Sequence, residues 1–192
     1  MSDEHAFAHV TTPFIKESMM LGFTASFVSG FAHPLHGADH LVAMLAVGIW
    51  GALAGGRAIR VWPIAFVATM LVGFASAAAG IAVPLVEPAI LSSIVVLGLL
   101  VAFAAAAHLW LGAAIIGLFA FFHGHAHGTE AVSADAIAYA AGLMLATGAL
   151  HTAGIGLCRV ASGLMPRIAL RAAGAVAAFG ATVAMVALWA LP

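Results

Sequence analysis

Repeated apolar runs constrain this chain more than any other feature. They cover residues 19–31, 41–53, 61–81, 89–107, 109–122, 136–157 and 172–191. A hydrocarbon core about 30 Å thick needs about twenty helical residues per crossing, at a rise of about 1.5 Å per residue. The runs 61–81, 136–157 and 172–191 reach that length unaided. Charged residues make up only 7% of the chain, against about 25% in soluble domains, so the ordinary soluble class is excluded. The expected fold is an all-α polytopic membrane protein, a bundle of six to seven transmembrane helices.

Proline and loop charge organise the spans. Pro34 separates the first two runs, and proline suits a first helical turn but disrupts a helix interior. Two helices with a break near His33-Pro34 are therefore expected. The stretch 89–122 is too long for one crossing and is expected to turn near His108, with Trp110 at the interface, although no Gly or Pro marks the turn. Residues 1–17 read as a short polar amino-terminal tail, opened by Asp3 and Glu4 and unlike a signal peptide. Residues 18–192 read as a single transmembrane helical domain.

Arg57 and Arg60 follow the second run, and Arg159, Arg167 and Arg171 lie between the last two. Placing all five in the cytoplasm by the positive-inside rule closes the parity of seven crossings. It puts Lys16 inside and the two histidine-rich stretches, HPLHGADH and FHGHAHGTE, on the same outer side, where they can converge. Six Lys/Arg against seven Asp/Glu give no basic surface for nucleic acid. The lone Cys158 allows neither an intrachain disulfide nor a cysteine metal cluster.

Ten histidines stand out against this scarcity of polar groups, and imidazole is the commonest protein metal ligand. In the first cluster, a helix begun at Pro34 would make His36, Asp39 and His40 neighbours, with His33 two turns before His40 on nearly the same face. Met44 lies one turn further along that stripe. An ionisable group inside a membrane segment is by default a functional-site hypothesis. Asp39 can bind a cation directly or fix the tautomer of a neighbouring imidazole.

The second cluster admits two geometries. On a helix, His123, His127 and Glu130 share a face; in an extended segment, His123, His125 and His127 do. The preceding apolar run favours the helix. Imidazole nitrogen with some carboxylate suits Ni, Cu, Zn or Fe(II) rather than Mg or Ca. Glu87, between Pro84 and Pro88, and His151, well down the sixth span, are further pathway candidates. His5, His9 and His108 carry no assigned role. Abundant glycine, as at Gly51 and Gly55, fits close helix contact, whereas Gly37, Gly124 and Gly128 beside the histidines are candidates to expose backbone near an ion.

These residues resemble the HupE/UreJ family of nickel permeases, linked to hydrogenase and urease maturation. Its H-x5-D-H motif is matched by His33, Asp39 and His40. Its F-H-G-x-[A/V]-H-G-x-E motif is matched by Phe122, His123, Gly124, Ala126, His127, Gly128 and Glu130. MLAVGIW after the first motif agrees too, as does VEPAILSSIVVLG, where Glu87 falls at a position that the family favours. The resemblance selects His33 over His36 and leaves His36 and His125 at variable positions. The family is often drawn with a cleavable leader and six spans; here the first segment is expected to be a retained helix.

The resemblance implies a permease admitting Ni²⁺, with Co²⁺ or Zn²⁺ as alternatives, from outside to cytoplasm across a bacterial inner membrane. His33, Asp39, His40, His123, His127 and Glu130 would form its outer metal site. His36, His125, Glu87, His151 and Met44 are possible additional ligands. No permanent cofactor is expected, the metal being cargo, and no Walker motif for ATP is present. The rival reading is an intramembrane zinc hydrolase, three histidines holding zinc and Asp39 or Glu130 serving as general base. A metal sensor is a third, disfavoured by the lack of a soluble output domain. The leading expectation is not an enzyme.

Overall fold

The computed structural model describes residues 3–131, 135–164 and 168–190. The described residues form seven helices and no strand: α1 (Asp3–His36), α2 (Ala38–Ala54), α3 (Ala58–Ala78), α4 (Val86–Ala102), α5 (Leu109–Glu130), α6 (Ala136–Leu164) and α7 (Ile168–Ala190). In hydrocarbon every backbone N–H and C=O needs a partner within the protein, and a helix supplies it locally. Helices α3 and α5 and residues Ala136–Gly163 of α6 are long and apolar enough to cross a membrane. Met20–His36 and Ala38–Ala54 form a pair bent by 82°, and Val86–Ala102 and Arg171–Val183 are shorter apolar helices. Exposed apolar side chains such as Ile64, Leu118 and Phe179 give the bundle a lipid-compatible surface.

The first break falls three residues later than expected. Pro34 lies inside the last turn of α1, not at the start of α2. A proline there forgoes one backbone bond but need not end the helix at once. The chain breaks at Gly37, which takes an extended conformation (φ −91°, ψ 114°) and accepts the Leu41 N–H at 2.9 Å. His33 and His36 therefore sit on a different helix from Asp39 and His40.

The fourth span also stops earlier than expected, at Ala102, leaving residues 103–108 as connection. Ala104 takes the left-handed conformation (φ 46°) that glycine usually supplies at a helix end. Ala105 N–H reaches back to Leu100 O at 2.9 Å and closes the cap. An alanine here accepts a strain of about 1 kcal/mol, which is why no glycine marks the turn in the sequence. Trp110, one turn into α5, is exposed.

Helix α5 runs parallel to α3. Trp62 Nε1 donates to Leu109 O at 2.9 Å near one end, and Gly124 lies against the Met70 carbonyl toward the other. Helix α6 runs parallel to α2, with His151 on the Met44 carbonyl and Gly154 against Leu45 and Gly48. Helices α4 and α7 cross at Gly98 and Gly174. One end of the bundle thus gathers Arg57, Arg60, Arg159 and Arg171, whose Nε donates to Ala102 O at 2.6 Å and caps α4. Arg167 and the side chain of Lys16 lie outside what the structure describes. The fully buried Trp50 and Trp62 pack together at the arginine end, ring centroids 4.2 Å apart and planes tilted by 35°. His33, His40 and Glu130 lie at the opposite end.

Candidate metal site

The bend at Gly37 and the carboxyl end of α5 meet, and this brings the two histidine-rich stretches together. A side chain at residue 37 would come within 2.9 Å of Asp39 Oδ1 and 3.0 Å of His40 Nδ1, so glycine there lets both groups fold back against the break. Helix α5 continues through Glu130, adopting the helical alternative for FHGHAHGTE. His123, His127 and Glu130 consequently share one face, which α3 supports from behind. A methyl group on Gly124 would collide with the Met70 carbonyl, and one on Gly128 would lie 2.6 Å from the Phe74 carbonyl. These two glycines serve helix contact rather than exposing backbone to an ion.

His33 Nε2 lies 2.9 Å from Glu130 Oε2, and His127 Nδ1 lies 3.6 Å from the same oxygen, beyond hydrogen-bond range. His33, His127 and Glu130 each offer one ligand atom, all within 4.8 Å of one another. The His127 ring is 4.8 Å from that of His33 and 4.5 Å from that of His40. His123 lies 5.0 Å beyond His40. Exposure falls along the series, from 52% at the Glu130 side chain and 35% at His33, through 13% at His40, to 0% at His127 and His123. The cluster therefore has a mouth and leads inward.

Hydrogen bonds fix which nitrogens are bare. His40 Nδ1 lies 2.9 Å from Asp39 Oδ1. The carboxylate accepts that N–H, so Nε2 presents its lone pair, buried and without a hydrogen-bond partner. Ser93 Oγ donates its only proton to Ile90 O at 2.6 Å and lies 3.0 Å from His123 Nε2. It must accept from that nitrogen, leaving His123 Nδ1 bare and unpartnered. Both nitrogens of His127 are likewise buried without a hydrogen-bond partner. A buried polar atom left this way costs about 1–3 kcal/mol. Unpartnered imidazole nitrogens are donors of the kind a transition metal uses, and among the described residues the ligand atoms that converge are those of His33, His127 and Glu130.

The other predicted residues fall elsewhere. His36 is exposed, its Nδ1 2.8 Å from Ala32 O of its own helix, and the expected His36–Asp39–His40 stripe does not form because the break separates them. His125 is buried on another face of α5, against Ser76 at 3.0 Å and the Phe121 ring. Glu87 is exposed in the first turn of α4. Met44 is fully buried and contributes its backbone carbonyl to His151. Sequence reasoning missed Ser93 and Tyr139. The Tyr139 ring lies 6.1 Å from that of His33, and its hydroxyl is buried without a hydrogen-bond partner. Its signal was available: it is the chain's one tyrosine, set in an apolar helix.

Residues 1–188 match the family model described as HupE / UreJ protein. The chain belongs to the HupE/UreJ family. It is 43% identical over 156 residues to Protein HupE of Rhizobium leguminosarum bv. viciae, covering 80% of this chain and 82% of that one. No solved structure matches it. In this HupE/UreJ member the two sequence motifs are one place in the fold: α1 and α2 bring the first to the mouth of the bundle, and α5 brings the second.

Proposed function

We propose that this chain is a permease carrying divalent transition-metal ions, Ni²⁺ first and Co²⁺ second, from outside the cell to the cytoplasm. The observation that carries the reading is the meeting of His33, His127 and Glu130, with ligand atoms within 4.8 Å, at the head of an inward series of buried imidazoles. Nickel is the cargo that the family resemblance implies, and a donor set of imidazoles with one or two carboxylates suits it. Residues 18–192 act as one transmembrane unit. The arginine end faces the cytoplasm by the positive-inside rule, so the mouth at Glu130 opens outward in a bacterial inner membrane.

Each part has a role in the transfer. Glu130, Asp39 and His33 at the mouth attract the hydrated cation, and the buried imidazoles replace its water one ligand at a time. Neutral nitrogen donors hold it loosely enough to let it move on. An inside-negative potential favours entry by about 2.3 kcal/mol per charge per 100 mV. A hydrolase would need substrate access at its metal. The complete burial of His127 and His123 favours passage of a bare ion over binding of a peptide or ester.

Radiolabelled nickel uptake by cells lacking other nickel transporters tests this. Cells expressing the chain should accumulate nickel, and dissipating the membrane potential with an ionophore should abolish it. Accumulation no greater than in cells without the chain would reject the permease.

A further inference from the structure

Below the mouth cluster the described residues include a further buried imidazole, outside both motifs. His151 on α6 is 1% exposed. Its Nδ1 lies 2.8 Å from the backbone carbonyl of Met44 on α2. A carbonyl can only accept, so the proton is on Nδ1 and Nε2 carries the lone pair. That Nε2 is buried with no hydrogen-bond partner. The arrangement is the one that orients metal-binding histidines, in which one nitrogen is anchored by a backbone carbonyl and the other is left for the ion. Were His151 needed only to tie α6 to α2, a hydroxyl, with a single polar atom, would donate to that carbonyl without stranding a second one.

A shared neighbour, Phe66, links this imidazole to the cluster. The Phe66 ring on α3 lies 4.9 Å from His151 and 5.8 Å from His123, whose Nδ1 is bare. One turn nearer the mouth, the buried hydroxyl of Thr147 reaches the Met70 thioether at 4.0 Å. Thr147 shares a face of α6 with His151, and Met70 shares a face of α3 with Phe66. Backbone contact between α2 and α6 fixes the position: a methyl group on Gly48 would strike the His151 carbonyl.

We propose that His151 is a second, internal ligand for the divalent ion, a station between the mouth cluster and the arginine end of the bundle. This rests on the permease reading. A single imidazole, with a thioether and a hydroxyl nearby, binds a borderline-soft cation weakly, and a transit station must release what it receives.

Two measurements test it. In proteoliposomes, His151→Asn retains an amide donor for the Met44 carbonyl but has no nitrogen at the Nε2 position. Nickel uptake should fall about tenfold or more, while nickel binding by the solubilised protein at the mouth stays within about twofold. In the unaltered chain, imidazole ¹⁵N spectra recorded with zinc, a diamagnetic probe, should show the His151 Nε2 resonance moving as zinc is added beyond what saturates His127. Wild-type uptake by His151→Asn, loss of mouth binding in that variant, or an Nε2 resonance that stays put while that of His127 moves would each overturn the station. If the unaltered chain transports no metal at all, the permease reading fails, and the nitrogen spectra alone decide whether His151 is a ligand.

Discussion

His33 on α1 and Glu130 on α5 meet with Nε2 and Oε2 2.9 Å apart, joining the bend between α1 and α2 to the end of the second motif. Both are partly exposed, so the pair contributes little to stability as an ion pair, about 0–1 kcal/mol. Its value lies in holding a carboxylate beside His127. Glu130→Gln keeps the size and removes the charge. Nickel affinity at the mouth, read by equilibrium dialysis, should fall about 10- to 100-fold with little change in thermal stability. Unchanged affinity would remove Glu130 from the site.

Asp39 acts through His40. Replacing it with Ala frees the His40 ring to rotate and to exchange tautomers, and nickel affinity should fall about tenfold or more. Asp39→Asn still offers an oxygen to Nδ1–H and should fall less. Equal loss in the two variants would mean that the charge of Asp39, not its hydrogen bond, is what the site uses.

Proton competition gives a third prediction. The ligands are neutral imidazoles, and an ordinary histidine gains a proton near pH 6.5. Protonated imidazole cannot bind, so affinity falls as pH falls. Below about pH 6, nickel affinity should drop roughly tenfold per pH unit for each histidine that must give up a proton. Dialysis between pH 7.5 and 5 should show affinity falling as pH falls, carried by the partly exposed His33 at the mouth. A flat profile would contradict histidine ligation.

The contact of α5 with α3 should tolerate no added atom at Gly124, whose Cβ would meet the Met70 carbonyl. Gly124→Ala should lower stability by about 1–3 kcal/mol, read as a lower midpoint of thermal unfolding in detergent. Gly148, where a Cβ meets nothing within 4 Å, should accept Ala with no such loss. Equal behaviour of the two variants would contradict the described approach of the helices.

The spans were legible because apolar runs at helical length have few alternatives in a membrane. The shared face of His123, His127 and Glu130 was legible as a 3.6-residue periodicity. A break near His33-Pro34 was legible from Pro34, but its exact residue was not. The chain turns at Gly37, where Asp39 and His40 fold back. That shift moved His36 away from its expected neighbours. The partners that fix the tautomers were less visible. Asp39 adjoins His40, but Ser93 lies on another helix from His123, and the anchor of His151 is a backbone carbonyl that no residue type advertises. Local pattern reports which face a side chain shares; it does not report which distant group it meets.

Transport through the histidine cluster is best tested with the purified chain alone. Proteoliposomes under an inside-negative potential would be offered nickel, cobalt, zinc and manganese separately, with the wild-type chain and with His40→Ala. The wild type should accumulate nickel, and manganese little if at all, and His40→Ala should lose the accumulation while remaining folded and inserted. Tight metal binding without accumulation by correctly inserted wild-type protein would contradict transport through the cluster.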